Sequence, residues 1–204
     1  MTKKIAPTRG NMRRMKVAMS LAKKGHDLLD QKRKILMTEL LAHIEEVGRI
    51  QEEMKKTFES GYESLQTAHI MMGIRRVESV AEAIPIQDGF IVRLHSVMGV
   101  EIPQVDQIPP EAPPVYSFGM TSPSFDDAYV HARKVLVLIA RLAEVHTSVT
   151  RLAVQIRKTA RRVNALEKIT IPFQEKTIKE ISNILDENDR EDHVRMKLSK
   201  KNQT

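Results

Sequence analysis

Cysteine and tryptophan are absent from this 204-residue sequence, and only eight residues are aromatic, five Phe and three Tyr. Without thiols there is no disulfide scaffold, no thiolate nucleophile, no iron–sulfur cluster and no Cys-ligated zinc. Aromatic rings supply much of the buried area of a globular core, so their scarcity argues against one thick core. No apolar run approaches the roughly 20 residues needed to cross a bilayer, and residues 1–4 lead into no hydrophobic segment of the signal-peptide kind. The chain reads as intracellular and soluble, with no direct membrane insertion. The eight glycines are scattered, and none opens a strand-to-helix turn followed by Lys-Ser or Lys-Thr, which disfavours nucleotide binding.

What is present is charge and helical periodicity. Net charge is +7, and it is unevenly placed: +9 over residues 1–34, −7 over 35–123 and +5 over 124–204. A basic chain invites a nucleic-acid reading, but the acidic middle would repel the same polyanion. Seven of the nine prolines lie within residues 85–123, which leaves both flanks free to be helical. From Met15, apolar residues recur every three or four positions through Leu36, Leu40, Ile44 and Val47 to Met72, one helical stripe of roughly 70 residues. Its steps through Leu36, Leu40, Ile44 and Val47 read as an eleven-residue stutter in a supercoil.

The second flank opens on Ser122 and Pro123 with Asp126 and Asp127 in the first turn, all favourable to a helix start. Heptads follow, with Ala128, Val135, Leu142, Val149, Ile156 and Val163 at one seam position, and Leu138, Val145, Leu152 and Leu166 at the other. A seam needs a partner helix, and charge points to one in the same chain. If residue numbers of antiparallel neighbours sum to about 206, acidic residues 38–65 meet basic residues 141–168, and Ile44 faces Arg162. The expected fold is therefore α-dominated: a long antiparallel helical hairpin, a coiled coil, with a small β-hairpin at the tip between the helices. The N-terminal long helix is expected over 8–83, a Pro-rich β-hairpin and linker tip over 84–122, and the C-terminal long helix over 123–198, with flexible ends at 1–7 and 199–204. Residues 90–98 and 100–105 are the candidate strands, with Pro103 confining the second to an edge. The Pro109 to Pro114 run is expected to be extended linker. Phe90, Tyr116, Phe118, Phe125 and Tyr129 should form a local aromatic cluster.

Chemistry is sparse. Glu39/His43, Asp127/His131 and Asp189/His193 have the spacing that sets a carboxylate beside an imidazole on one helix face, but solvated surface pairs are the common outcome of that spacing. No His-Glu-x-x-His occurs, so no catalytic residue, metal site or cofactor is expected. Met12, Met15 and Met19 suit either coiled-coil packing or an adaptable contact surface. Arg157, Lys158, Arg161 and Arg162 suit a solvated face opposite the acidic helix, a protein partner or phosphates. Ile171-Pro172 breaks the helical pattern, as a kink or as a fresh helix start.

Ala-Pro7-Thr8-Arg9, the GHDLLDQKR segment at residues 25–33, RRVNALE at 161–167 followed by Ile171-Pro172, and LDENDRE at 185–191 together resemble the D subunit of V-type ATPases over nearly the whole chain. The resemblance implies a non-catalytic central rotor shaft. Both termini would enter a hexameric head of A and B subunits, an F subunit would clasp the exposed coil, and the far end would sit on the subunit capping the membrane rotor ring. It would carry torque between ATP hydrolysis or synthesis and ion translocation, placing the protein in the cytoplasm, peripheral to the membrane. Thr8, Arg9, Met12, Arg13, Arg161, Arg162, Arg190 and Arg195 are then the expected head-contacting residues. Leu36, Leu40, Ile44, Val47, Leu142, Val149, Ile156 and Val163 form the seam. Two rival readings are a prefoldin-like holdase, disfavoured by long helices and charged tips, and a basic coiled-coil nucleic-acid binder, disfavoured because aromatics do not interleave the basic segments.

Overall fold

A computed structural model describes residues 5–85, 90–106, 116–117, 119 and 121–201. In chain order these form α1 (Arg9–Met72), α2 (Ile74–Glu82), β1 (Val92–Val97), β2 (Val100–Val105), α3 (Pro123–Ala165), a π-helical turn (Leu166–Thr170) and α4 (Ile171–Lys201). Long helices with one small antiparallel β-hairpin between them make up the architecture. The run Pro109 to Pro114 and Phe118 lie outside the described residues, as do residues 1–4 and 202–204 of the expected flexible ends. Contacts divide the chain into two compact units, residues 1–35 with 156–204, and residues 36–155.

In the first unit, α1 starts on Thr8, whose Oγ1 accepts a hydrogen bond from the Asn11 N–H at 3.2 Å. A free amide of the first helical turn is satisfied in this way. The start of α1 runs antiparallel to α4, with Arg9 donating to both oxygens of Asp189 and Lys23 paired with Glu175 at 2.9 Å. Met12, Met15 and Met19 are half-buried, as packing residues are, while Val17 and Leu21 are exposed.

Pro172 neither ends the helix nor restarts it after a break. The backbone stays helical from Ala165 to Ile171, and the Ile171 N–H reaches back five residues to the Leu166 carbonyl. A proline lacks the N–H that an α-turn requires and crowds the carbonyl four residues earlier; a widened turn just before it relieves the crowding. The turn also holds one surplus residue. Seam positions advance by sevens up to Val163 and Leu166, then by eight to half-buried Ile171 and Gln174, then by seven again to Ile178 and buried Ile181.

In the second unit, the half-buried and buried face of α1 reads Leu36, Leu40, His43, Val47, Ile50 and Met54, an unbroken heptad. The expected stutter is absent. Ile44 is 48% exposed and the less apolar His43 takes its place, because Glu46 and Arg141 of α3 meet beside it. The register differs from the charge-matched one as well. Glu46 meets Arg141, whereas a sum of 206 would set it opposite residue 160. Net charge over a long window tolerates a slide of many residues, whereas interlocking side chains do not.

Gly73 ends α1 at φ 80°, ψ 146°, a conformation essentially reserved for glycine. The single expected helix is thereby split, and α2 turns to pack. Ala68, Val77 and Phe125 form a small core with Leu65, Met72, Val80, Ile84 and Tyr116 against it. Tyr116 meets Phe125 and Tyr129 edge-on at 5.2 and 5.6 Å, while Phe90 is exposed.

The hairpin turns on Met98 and Gly99, both at positive φ, as a two-residue turn of the right-handed strand twist requires. The Asp106 N–H donates to the Ile91 carbonyl, so the Leu94↔Pro103 pair falls at a position without cross-strand hydrogen bonds. Pro103 therefore costs the ladder nothing, and β2 turns its outer edge to α3. There the Val105 N–H donates to Glu144 Oε2 at 3.0 Å, and Arg151 donates to the Glu101 carbonyl at 2.8 Å.

Candidate functional site

Charged side chains held at the ends of α1, α3 and α4 make up the candidate surface of the first unit. Arg13, Arg161 and Arg162 are exposed and form no ion pair among the described residues. Arg9 is tied to Asp189, Arg190 to Glu187 at 3.5 Å, and Arg195 to Glu191 at 3.4 Å. Pairs this exposed contribute about 0–1 kcal/mol and exchange readily for other carboxylates. Thr8 serves as a helix cap and Met12 is half-buried, so these two are placed for structure as much as for contact. Asp30 is held below the usual carboxylate value by a hydrogen bond from Lys34, with Arg33 adding to the effect, so this stretch of α1 is partly neutralised.

Of the seam residues, Leu36 and Val163 are buried, and Leu40, Val47, Leu142, Val149 and Ile156 are half-buried. Ile50, Val145, Ser148 and Thr159 are also buried there. Heptad counting from Leu36 reaches Ile50, and counting from Val145 reaches Thr159. Ser148 and Thr159 were not singled out in the sequence because small polar residues carry no hydrophobic signal; in the helix, the Ser148 hydroxyl donates to the Glu144 carbonyl at 2.8 Å.

None of the three carboxylate–imidazole spacings forms its pair in the fold. His43 faces Glu46 at 3.7 Å rather than Glu39, Asp189 is taken by Arg9, and His131 Nδ1 is buried without a hydrogen-bond partner among the described residues. Among the described residues no group of three His, Asp or Glu side chains could hold a metal ion. A cavity of about 350 Å³ in the second unit is lined chiefly by apolar residues, including Phe58, Tyr62, Leu65, Ile84, Phe125 and Tyr129, and brings together no acid–base or nucleophile pair. No helix among the described residues is long and apolar enough to cross a membrane. What the surface can do chemically is bind carboxylates and apolar side chains of another protein.

A family model for the ATP synthase D subunit matches residues 11–201. The chain is 43% identical over 198 residues to a V-type ATP synthase D subunit of Thermotoga neapolitana, covering 96% of this chain and 97% of that protein. It is 35% identical over 200 residues to an A-type ATP synthase D subunit of Thermococcus sibiricus, and 36% identical over 200 residues to that of Pyrococcus abyssi, covering 97% of this chain and 94% of each relative.

Proposed function

The chain belongs to the family of ATP synthase D subunits, which are non-catalytic components of the central stalk, and from that premise we propose that it is the rotor shaft joining an A/B catalytic head to the membrane ring. In this reading both termini enter the hexameric head, an F subunit clasps the exposed coil, and the opposite end rests on the subunit capping the ring. The observation that carries the reading is a family match across residues 11–201 on long paired helices.

A shaft acts by being different on each side. Set in a ring of three alternating pairs, a rod with unlike faces touches each catalytic interface differently. It therefore favours a different conformation at each one, and rotation passes those biases round the ring. Arg13, Arg161 and Arg162, exposed and without an ion pair among the described residues, suit carboxylates lining the head, and the weak pairs at Arg9, Arg190 and Arg195 can open in favour of the same partners. Thr8 and Met12 would hold the entering end of α1 in shape.

The test is charge reversal, Arg161→Glu with Arg162→Glu, in a reconstituted head containing A, B and F subunits. Assembly or ATP turnover should fall about tenfold, as for an interface weakened by roughly 1.4 kcal/mol, while the isolated variant keeps its helical circular dichroism. Unchanged assembly and turnover would remove these two residues from the contact surface.

A further inference from the structure

Just past the π-helical turn, inside and outside are exchanged. Phe173 is 42% exposed and Ile169 is 69% exposed, while Gln174 takes the seam position with its Oε1 buried and unpartnered among the described residues. Leaving a buried amide oxygen unpaired is costly, as is leaving a phenyl ring in water. One residue of phase separates this arrangement from one in which Thr170 and Phe173 hold the seam in place of Ile171 and Gln174. Seven residues on from Leu166 is Phe173; eight on is Gln174. In a strictly α-helical continuation, Phe173 would occupy the seam. The surplus residue would then have to be absorbed later, before Ile178 and Ile181, which hold the seam in either case.

Proline explains why the turn lies where it does. With no turn before it, Pro172 would sit inside an α-helix, where its ring crowds the carbonyl of Lys168 and no N–H answers that carbonyl, at a cost comparable to the packing that would be gained. Two further contacts hold the present position. The Ile171 N–H reaches Leu166, and the Thr170 hydroxyl donates to the Ala165 carbonyl at 3.3 Å, a side-chain tie across the widened turn.

We propose that the turn at Leu166–Thr170 is one of two positions of a movable π-bulge, held by Pro172, and that shifting it one turn towards the C-terminus exchanges Gln174 for Phe173 in the seam. The shift rotates only the first turn of α4 and leaves Ile178, Ile181 and Leu185 in place. A helix built this way changes the face shown by residues 169–174 without losing its grip on α1. The device is independent of which partners surround it, so its test uses the full chain alone.

The natural sequence contains no cysteine, so Gln174→Cys introduces a single thiol. In that variant the thiol should react slowly with a water-soluble maleimide, being half-buried. With Pro172→Ala added, the bulge is released, residue 174 turns outward, and labelling should accelerate about tenfold or more, the change expected when a minor state becomes dominant. Adding Phe173→Ala as well removes the group that drives the exchange and should return the slow rate. Equal labelling rates with and without Pro172→Ala, in variants whose circular dichroism is unchanged, would overturn the proposal. Hydrogen exchange on the natural sequence gives a second readout. Amides at 171 and 173–176 should exchange about tenfold faster than those at 159–165 or 181–186, as a locally shifting segment does, and uniform protection from 159 to 186 would equally overturn it.

Discussion

Gly73 sits at φ 80°, ψ 146°, and a Cβ added there would meet nothing within 4 Å. Any penalty for a side chain is therefore one of backbone conformation alone. Gly73→Ala should cost about 1–3 kcal/mol, read as a lower midpoint in urea denaturation, and a loss of only a few tenths would mean that the chain passes from α1 to α2 in some other way. Tyr116 offers a different lever. Burial, chiefly, and the hydrogen bond its hydroxyl donates to Asp126 at 2.8 Å push its ionisation above the ordinary 10. A group raised in the folded state contributes its stability fully below the unfolded value and loses it as pH climbs beyond that. Stability should accordingly decline above about pH 10 in the natural chain. Tyr116→Phe should lower stability by about 1 kcal/mol at pH 7 and flatten that alkaline decline, as thermal melts at pH 8 and 11 would show.

Among the elements, the pairing of α1 with α3 is set at two places, Glu46 with Arg141 and Gly61 beside His131. A Cβ built at Gly61 lies 3.2 Å from the His131 Cβ, a few tenths of an ångström inside the separation a disulfide spans. Gly61→Cys with His131→Cys should oxidise to an intramolecular bond at low protein concentration, seen as a faster band on a non-reducing gel. Purely intermolecular products would refute the antiparallel pairing. The sequence foretold that α1 pairs with α3 in one chain, because a seam needs a partner helix and the two flanks carry opposite net charge. Where along the helices they lock was not legible. The opposite net charges of residues 38–65 and 141–168 remain opposite under many offsets, and a histidine in the seam has no hydrophobic signature to count. Similarly, Pro172 announced an irregularity, but a widened turn, a kink and a restart look alike until Leu166–Thr170 is seen to carry the surplus seam residue.

For the molecule as a whole, charge and length matter more than any single contact. The basic blocks over residues 1–34 and 124–204, +9 and +5, flank an acidic stretch of −7 over residues 35–123, a distribution suited to a stalk that meets different partners along its length. Shortening both termini together, by removing residues 1–16 and 187–204, should uncouple ATP hydrolysis from ion movement in the reconstituted complex while α3 and its seam stay folded. Helical circular dichroism should fall only in proportion to the residues removed. Full ion pumping by the shortened protein would contradict the proposed role of the inserted ends.

Composition, periodicity and the turn-forming residues by themselves determined a cysteine-free, mostly helical chain, a short hairpin at Met98-Gly99 and the absence of recognisable catalytic motifs, because those properties are local or simple counts along the chain. Only the tertiary structure decided that Gly73 splits the first helix, that the β2 edge is held by Glu144 and Arg151, that Ile50 rather than Ile44 is buried, and that Gln174 displaces Phe173 from the seam. Each of these depends on which atoms of distant residues meet, and interlocking at that scale is decided by packing and hydrogen-bond satisfaction rather than by the hydrophobicity of any one residue.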